Sequence, residues 1–369
     1  MKTITRSTVW AVVLFYLLIA FEFFYMATPF AAYFYGVYKP FLGILDRFPS
    51  LSWITGFFLP HLDEDTKSPL IDSVKITGGI IAAAGLITFL ICAFQVYYAK
   101  LFKKGMVSRG LYKYIRHPQY TAFAVCSFGL LLLWPRYLIL FMFITLLFVY
   151  YLLAKAEERE CENRFGESYL RYKDRTYMFL PVKFHMRFLS STPILIAILY
   201  VLTVFAALQA GRILKRVSIS SLYSYTGENA VYLSIGEMPA LKMNHMIEDL
   251  KTNPEIQVFL NNRNYKNAKL INYILPLDMY ISEIPMIKPD EETCHVSQSS
   301  NAVNYKIVFT EAGFPEDTEL KSEKDILYHA TRLKPLMEVR YDGGAGRILK
   351  IEALPEAALR YKNIPEPVF

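Results

Sequence analysis

Four cysteines in 369 residues, scattered as Cys92, Cys126, Cys161 and Cys294, leave no disulfide framework and no zinc-ligand spacing. Histidine is equally sparse, and His245, His295 and His329 stand alone, so no metal site is expected. The 17 glycines follow no period, which excludes a collagen-like chain, and an apolar fraction of 54% excludes an intrinsically disordered one. Charge is missing altogether from residues 76–99, 118–135, 137–154 and 189–211, and residues 7–38 carry only Glu22. Acid is missing from residues 100–117, where Lys100, Lys103, Lys104, Arg109, Lys113 and Arg116 stand unopposed.

A helix needs about 20 apolar residues to cross a bilayer. The uncharged stretches therefore predict a multi-span α-helical membrane domain of about five transmembrane helices over residues 1–216. Leu51–Leu59 is too short to cross and reads as an interfacial or re-entrant piece. A cleaved signal peptide is disfavoured for the first stretch, which is too long and has no small-residue cleavage site. Lys and Arg number 24 against 12 Asp and Glu in residues 1–216, but 16 against 21 in residues 217–369. The second part reads as a small soluble α+β domain.

Basic residues mark cytosolic loops. Residues 100–117 and the eight basic residues of 155–188 are expected in the cytosol, and 39–75, with four basic and five acidic residues, outside. Five crossings then leave the C-terminal domain outside. Arg212, Lys215 and Arg216, just after the last span, argue the other way.

Two polar clusters flank the third and fourth spans. The first is Gly110-Leu-Tyr112-Lys-Tyr-Ile-Arg116-His117-Pro118-Gln119-Tyr120. Proline suits the first helical position, so Pro118 is expected to open the third span. Free N–H groups there, with Arg116 and His117 alongside, suit an anion such as a carboxylate. The alternative is that Arg116 and His117 only mark the membrane boundary. The second cluster, residues 156–172, prolongs the fourth span as a charged helix. Its pairs Glu160–Arg164 and Glu167–Arg171 have the spacing of an exposed, ion-paired surface. Glu157 sits where the apolar run ends, next to the start of the third span if the two spans form a hairpin; a solvated glutamate is the alternative reading.

In this order, Arg116-His117-Pro118-Gln119-Tyr120, then Glu157-Glu158, Phe165-Gly166-x-x-Tyr169-x-x-Tyr172 and Leu180-Pro181 resemble the isoprenylcysteine carboxyl methyltransferase family, over roughly residues 75–185. Related membrane methyltransferases acting on phospholipid amines share much of the pattern. The resemblance implies S-adenosylmethionine as donor, bound on the cytosolic side. Carried over by position, its site takes Tyr97, Lys104, Gly105, Met106, Val107, Tyr112, Arg116, His117, Pro118, Gln119, Tyr120 and Glu157. His117 and Tyr120 are the candidate catalytic residues, His117 as donor ligand or as base for an amine acceptor. The family carries a basic residue four positions before the cofactor glutamate; here that position is Leu153, and Lys155 is the nearest cation for the substrate.

The implied acceptor is a membrane lipid or lipidated molecule, reached from the bilayer, and no nucleic-acid partner is expected. Two other readings stand beside this one. A sterol-reductase-like enzyme using NADPH would need a larger pocket and more spans. A non-catalytic anchor would leave function to the C-terminal domain, which carries no motif and can bind a protein partner or cover the substrate entrance. Within that domain, residues 230–235, 255–260 and 303–310 read as strands and 238–251 as a helix. Asp342-Gly343-Gly344 marks a hairpin turn.

Overall fold

The computed structural model describes residues 52–60, 66–102, 106–180, 193–262, 265–279, 284, 286, 304–314 and 318–355. The expected first span, 7–38, lies outside them, as do Lys104, Gly105 and His295 and the side chain of Tyr97. Three described helices are long and apolar enough to cross a membrane: α1 (Pro69–Leu101), α3 (Tyr137–Phe165) and α5 (Pro193–Ser221). Between the first two lies α2 (Pro118–Leu133), apolar but only 16 residues long. At 1.5 Å per residue it reaches about 24 Å, short of a hydrocarbon layer of about 30 Å.

The helix limits follow from local chemistry. Thr66 and Ser68 form the turn before α1: Ser68 N–H donates to Thr66 Oγ1 (3.0 Å), and Thr66 N–H to the Asp72 carboxylate in the first turn (3.0 Å). Pro118 opens α2 at the position where a missing N–H is harmless. Gly166, at φ +53°, breaks α3 from the short amphipathic α4 (Glu167–Arg175). Residues 52–59 form a 3₁₀ turn (Ser52–Thr55) and then bond to the α2–α3 connection, Phe58 N–H to Pro135 O (2.9 Å) and Tyr137 N–H to Gly56 O (3.2 Å).

The α1–α2 hairpin is held by backbone-to-backbone approach. A Cβ at Gly85 would stand 2.7 Å from Cys126 Cα and 2.8 Å from Ala122 O; one at Gly129 would stand 2.6 Å from Gly78 O. Gly78, Ala82 and Gly85 thus face Ala122, Cys126 and Gly129 along one seam. Where lipid is as apolar as the side chains, such small residues let dispersion and close contact join helices.

Helix α5 enters beside α3, with Tyr200 and Thr145 hydroxyls 2.9 Å apart, and Gly211 later passes under the Tyr137 ring. It leaves at the end where α1 begins, Lys67 N–H donating to Ser221 O (2.8 Å). Directly after it comes a six-stranded sheet in chain order: β1 (Tyr223–Gly227), β2 (Ala230–Ser234), β3 (Leu270–Pro276), β4 (Asn304–Gly313), β5 (Arg332–Asp342) and β6 (Arg347–Ala353). All neighbours are antiparallel except β2 and β3. That parallel pair is bridged by α6 (Ala240–Thr252) and α7 (Pro254–Asn262).

Each face of the sheet buries its own core. Met246, Ile247 and Leu250 of α6 cover Tyr232, Ile274 and Phe309 on one side. Ile219 and Leu222 at the end of α5, with Ile326 and Leu327 of α8 (Lys324–His329), cover Val231, Ile271 and Val308 on the other.

Residues 255–260 are therefore helical and not a strand. Asn253 caps them, its carboxamide oxygen accepting from Glu255 N–H (2.9 Å) and Ile256 N–H (3.1 Å), and Pro254 starts the turn. Residues 230–234 and 304–313 are strands and 240–252 a helix. The hairpin turn falls where expected: the Asp342 carboxylate accepts from Gly344 and Ala345 N–H, both at 2.9 Å.

Candidate active site

Pro118 and Glu157 meet at one end of the bundle because α2 starts there and α3 emerges there as its apolar run gives way to charge. The Tyr120 hydroxyl donates to Glu157 Oε1 at 2.6 Å. His117, 8% exposed, lies between two acids, with Nδ1 3.5 Å from Glu157 and Nε2 3.6 Å from Glu158. The second distance is an ionic contact, not a hydrogen bond, and Nε2 is a buried polar atom without a hydrogen-bond partner. Burial pulls the His117 pKa down, but the Glu157 and Glu158 carboxylates outweigh it and the net shift is upward.

Adjacent residues on a helix point about 100° apart, and the two glutamates divide accordingly. The Glu157 side chain is 48% exposed, whereas that of Glu158 is 3% exposed. Glu158 accepts from Arg116 Nε at 2.7 Å and pairs with Lys173 Nζ at 3.2 Å. Arg116 also donates to the carbonyls of Lys173 and Thr176.

Residues 176–180 form a strap across the start of α2. Arg116 N–H donates to Tyr177 O (2.8 Å), His117 N–H to Met178 O (3.1 Å) and Thr121 Oγ1 to Phe179 O (3.1 Å). The Tyr172 hydroxyl fastens α4 by donating to Tyr112 O (2.6 Å), and burial pushes its pKa up to about 12.

Just before the helix start, the N–H groups of Arg116 and His117 are taken by the strap, and the Arg116 guanidinium turns inward to Glu158. What remains at the helix start is Gln119, half-buried in the first turn after Pro118. Tyr112 is buried and its hydroxyl lies 3.4 Å from Cys92 O, supporting the turn Gly110–Lys113. Met106 and Val107 are half-buried in the segment leading to that turn. Lys155 extends over the Tyr151 ring, 5.8 Å from its centre.

The sequence reading passed over Tyr150. Its ring stacks on Tyr120 (4.7 Å, 12° between planes), and Tyr120 lies parallel to His117 (5.7 Å, 6°), so three rings form a ladder. Tyr150 stands seven residues before Glu157, two helical turns along the same face, which is the spacing that would have revealed it. Beyond Tyr120 and Tyr150 opens a groove of about 460 Å³, walled by Val125, Phe128, Phe143, Leu147, Tyr151 and Leu199. No charged side chain lines it. Among the described residues no three His, Cys, Asp or Glu side chains are placed to hold a metal.

Comparison with known proteins bears on this same region. The phospholipid methyltransferase family model matches residues 76–168, which run from α1 through the Pro118 helix start to the end of α3. The matched stretch is 93 of 369 residues. No curated protein and no solved structure gives a significant match.

Proposed function

We propose that the protein is a multi-pass membrane methyltransferase that takes a methyl group from S-adenosylmethionine and delivers it to a lipid or lipidated acceptor. The observation that carries the reading is the join of two unlike half-sites. A polar mouth of His117, Tyr120 and Glu157 abuts an apolar groove, with the rings of Tyr120, Tyr150 and Phe179 at the junction. The phospholipid methyltransferase match over 76–168 supports it independently.

The residues of the mouth suit the donor. The half-exposed Glu157 carboxylate is a polar group that a polar ligand would satisfy. Glu157 would take an ammonium or ribose hydroxyl, the Gln119 end of α2 a carboxylate, and the Tyr120 face a sulfonium charge, worth about 0.5–2 kcal/mol. Tyr97, Lys104, Gly105, Met106 and Val107 are assigned to the same donor by family resemblance. When bound, the donor supplies an electrophilic methyl group.

Chemistry beyond that asks mainly for alignment. The stacked rings hold Tyr120, and Tyr120 holds Glu157, before any ligand arrives, and such preorganisation can supply much of the rate. His117 is assigned to hold the donor, its ring nitrogens lying 3.5 and 3.6 Å from the Glu157 and Glu158 carboxylates. The groove takes a hydrocarbon chain from the bilayer and presents its head to the mouth. Lys155, whose ammonium lies over the Tyr151 ring, is assigned to an anionic group of the acceptor. The mouth is assigned to the cytosolic side because the basic residues of 100–117 and 155–175 gather at this end.

Calorimetry in detergent tests the reading. Wild type is expected to bind S-adenosylmethionine, and Glu157→Ala to bind it at least tenfold more weakly. No heat with wild type, or equal binding by the variant, would overturn it.

A further inference from the structure

We propose that the sheet-bearing end of α5 holds a binding site for the phosphate of an anionic phospholipid, formed by Arg212 and Arg216. The site lies at the end of the bundle away from the mouth and outside residues 76–168, so it does not depend on the methyltransferase reading. Helix α5 carries no charge from Pro193 to Gly211, and Arg212 is the first charged residue after that run. The end of an apolar run lies at the level of lipid headgroups.

Arg212 and Arg216 stand one turn apart on one face of the helix, and both are exposed. Each is seated on an aromatic ring: Arg212 lies 5.8 Å from the centre of Trp53, and Arg216 5.5 Å from that of Tyr328. Lys215 turns aside and fixes the second of these supports, its Nζ donating to Tyr328 O (2.8 Å). A guanidinium over a ring uses its face and keeps the N–H donors on its edge, in the fork that matches phosphate oxygens. Among the described residues no carboxylate forms an ion pair with Arg212 or Arg216. At the mouth, by contrast, Arg116 is taken by Glu158.

The same face of α5 provides for the chains. Stepping back two, three and four turns from Arg212 reaches Phe205, Val201 and Ile198, which are 60%, 63% and 51% exposed. From Arg212 to Val201 is about 16 Å along the axis, close to one leaflet's share of a hydrocarbon layer of about 30 Å. Two cations without a carboxylate, set directly above an exposed apolar stripe of that length, complement a molecule with an anionic head and hydrocarbon tails. A phospholipid of net negative charge has that form.

Binding of radiolabelled lipid to the full chain, immobilised in detergent, tests the site. The probes are dioleoylphosphatidylglycerol and dioleoylphosphatidylcholine, which share their chains and differ in net charge, with inorganic phosphate as competitor. Wild type is expected to prefer phosphatidylglycerol about tenfold or more. A cation near a lipid surface is worth about fivefold in affinity for anionic lipid, so Arg212→Gln/Arg216→Gln should erase the preference. Arg347→Gln/Lys350→Gln removes the same charge from β6, at the sheet edge opposite β1, and should leave the preference intact. Equal binding of the two lipids by wild type, a preference that survives Arg212→Gln/Arg216→Gln, or one that the β6 variant loses as fully, would overturn the site. Should the first variant fail to fold, wild type still decides: added salt screens exposed charge and should cut the preference severalfold, and a preference indifferent to salt overturns the proposal. Displacement of the lipid by millimolar inorganic phosphate would show that the chains add nothing and would overturn the lipid assignment.

Discussion

Replacing Gly129 by alanine adds one methyl group, and the structure states what that methyl meets. Its Cβ would lie 2.6 Å from Gly78 O and 2.7 Å from Ala82 Cα, whereas ordinary contact begins near 3.4 Å. These obstacles and Ala82 N, which would lie closer still, are all backbone, so no side chain can swing aside. Relief requires α1 and α2 to separate by roughly 1 Å, and overpacking of that kind costs about 1–3 kcal/mol. The site lies farther along the same helix: eleven residues from Gly129 back to Pro118 is about 16 Å. A displaced α2 carries His117 and Tyr120 away from the end of α1, and shifts near 1 Å at a reacting centre are expensive.

Gly79, with nothing within 4 Å of its would-be Cβ, is the internal control. There the same change adds only helix propensity, worth about 0.5–1 kcal/mol in favour. Thermal unfolding in detergent should place Gly129→Ala several degrees below wild type and Gly79→Ala at or above it. Donor affinity should fall only in the first. Equal behaviour of the two variants would refute the seam as the element that sets the site.

Three further outcomes follow from the same geometry. Tyr120→Phe removes a hydrogen bond to a carboxylate, an interaction of about 1.5–3 kcal/mol that the half-exposure of Glu157 reduces to about 1 kcal/mol, so calorimetry should show about fivefold weaker donor binding. Because the folded pKa of His117 is raised above the ordinary 6.5, its stabilisation is complete below that value and is lost as pH rises through the folded pKa; the melting-temperature gap between wild type and His117→Gln should therefore narrow as the buffer is made alkaline. Leu147→Trp fills the groove, and in a methyl-transfer assay should raise KM for the lipid acceptor while leaving the donor dissociation constant unchanged.

How much of this was legible beforehand depended on whether the information was local. Pro118 opening a helix and Asp342-Gly343-Gly344 turning a hairpin are statements about neighbouring residues, and both appear in the structure, as do three of the apolar runs as helices long enough to cross a membrane. The pairing of Tyr120 with Glu157 rested on a motif spaced by 37 residues, and it became concrete only when α2 and α3 met as a hairpin. Residues 255–260 misled because Glu-Ile-Gln-Val-Phe-Leu alternates like a strand, while the deciding group, the Asn253 carboxamide, lies just outside the run. Arg116 is the opposite case: its direction is set by Glu158 and by the carbonyls of Lys173 and Thr176, 57 and 60 residues away. Long-range hydrogen bonds of that kind leave no trace in spacing.

The far end of the bundle carries the sheet domain. The cations just after the last apolar run argued, by charge counting, for a cytosolic C-terminal domain. In the structure they are held by aromatic rings: Arg212 lies over Trp53 (5.8 Å), and Lys215 and Arg216 over Tyr328 (5.1 and 5.5 Å), with Lys215 Nζ donating to Tyr328 O (2.8 Å). Cations committed to packing between a helix and the domain it carries report on that interface, not on which side of a membrane it lies. Helix direction is the better guide. Leu199 near the start of α5 walls the groove, and Ser221 at its end bonds to Lys67 at the opposite end of α1. Among the described residues, one pass of α5 therefore lies between the sheet and the mouth: a residue of its first turns, Leu199, walls the groove, and its last turn packs in the core of the sheet domain.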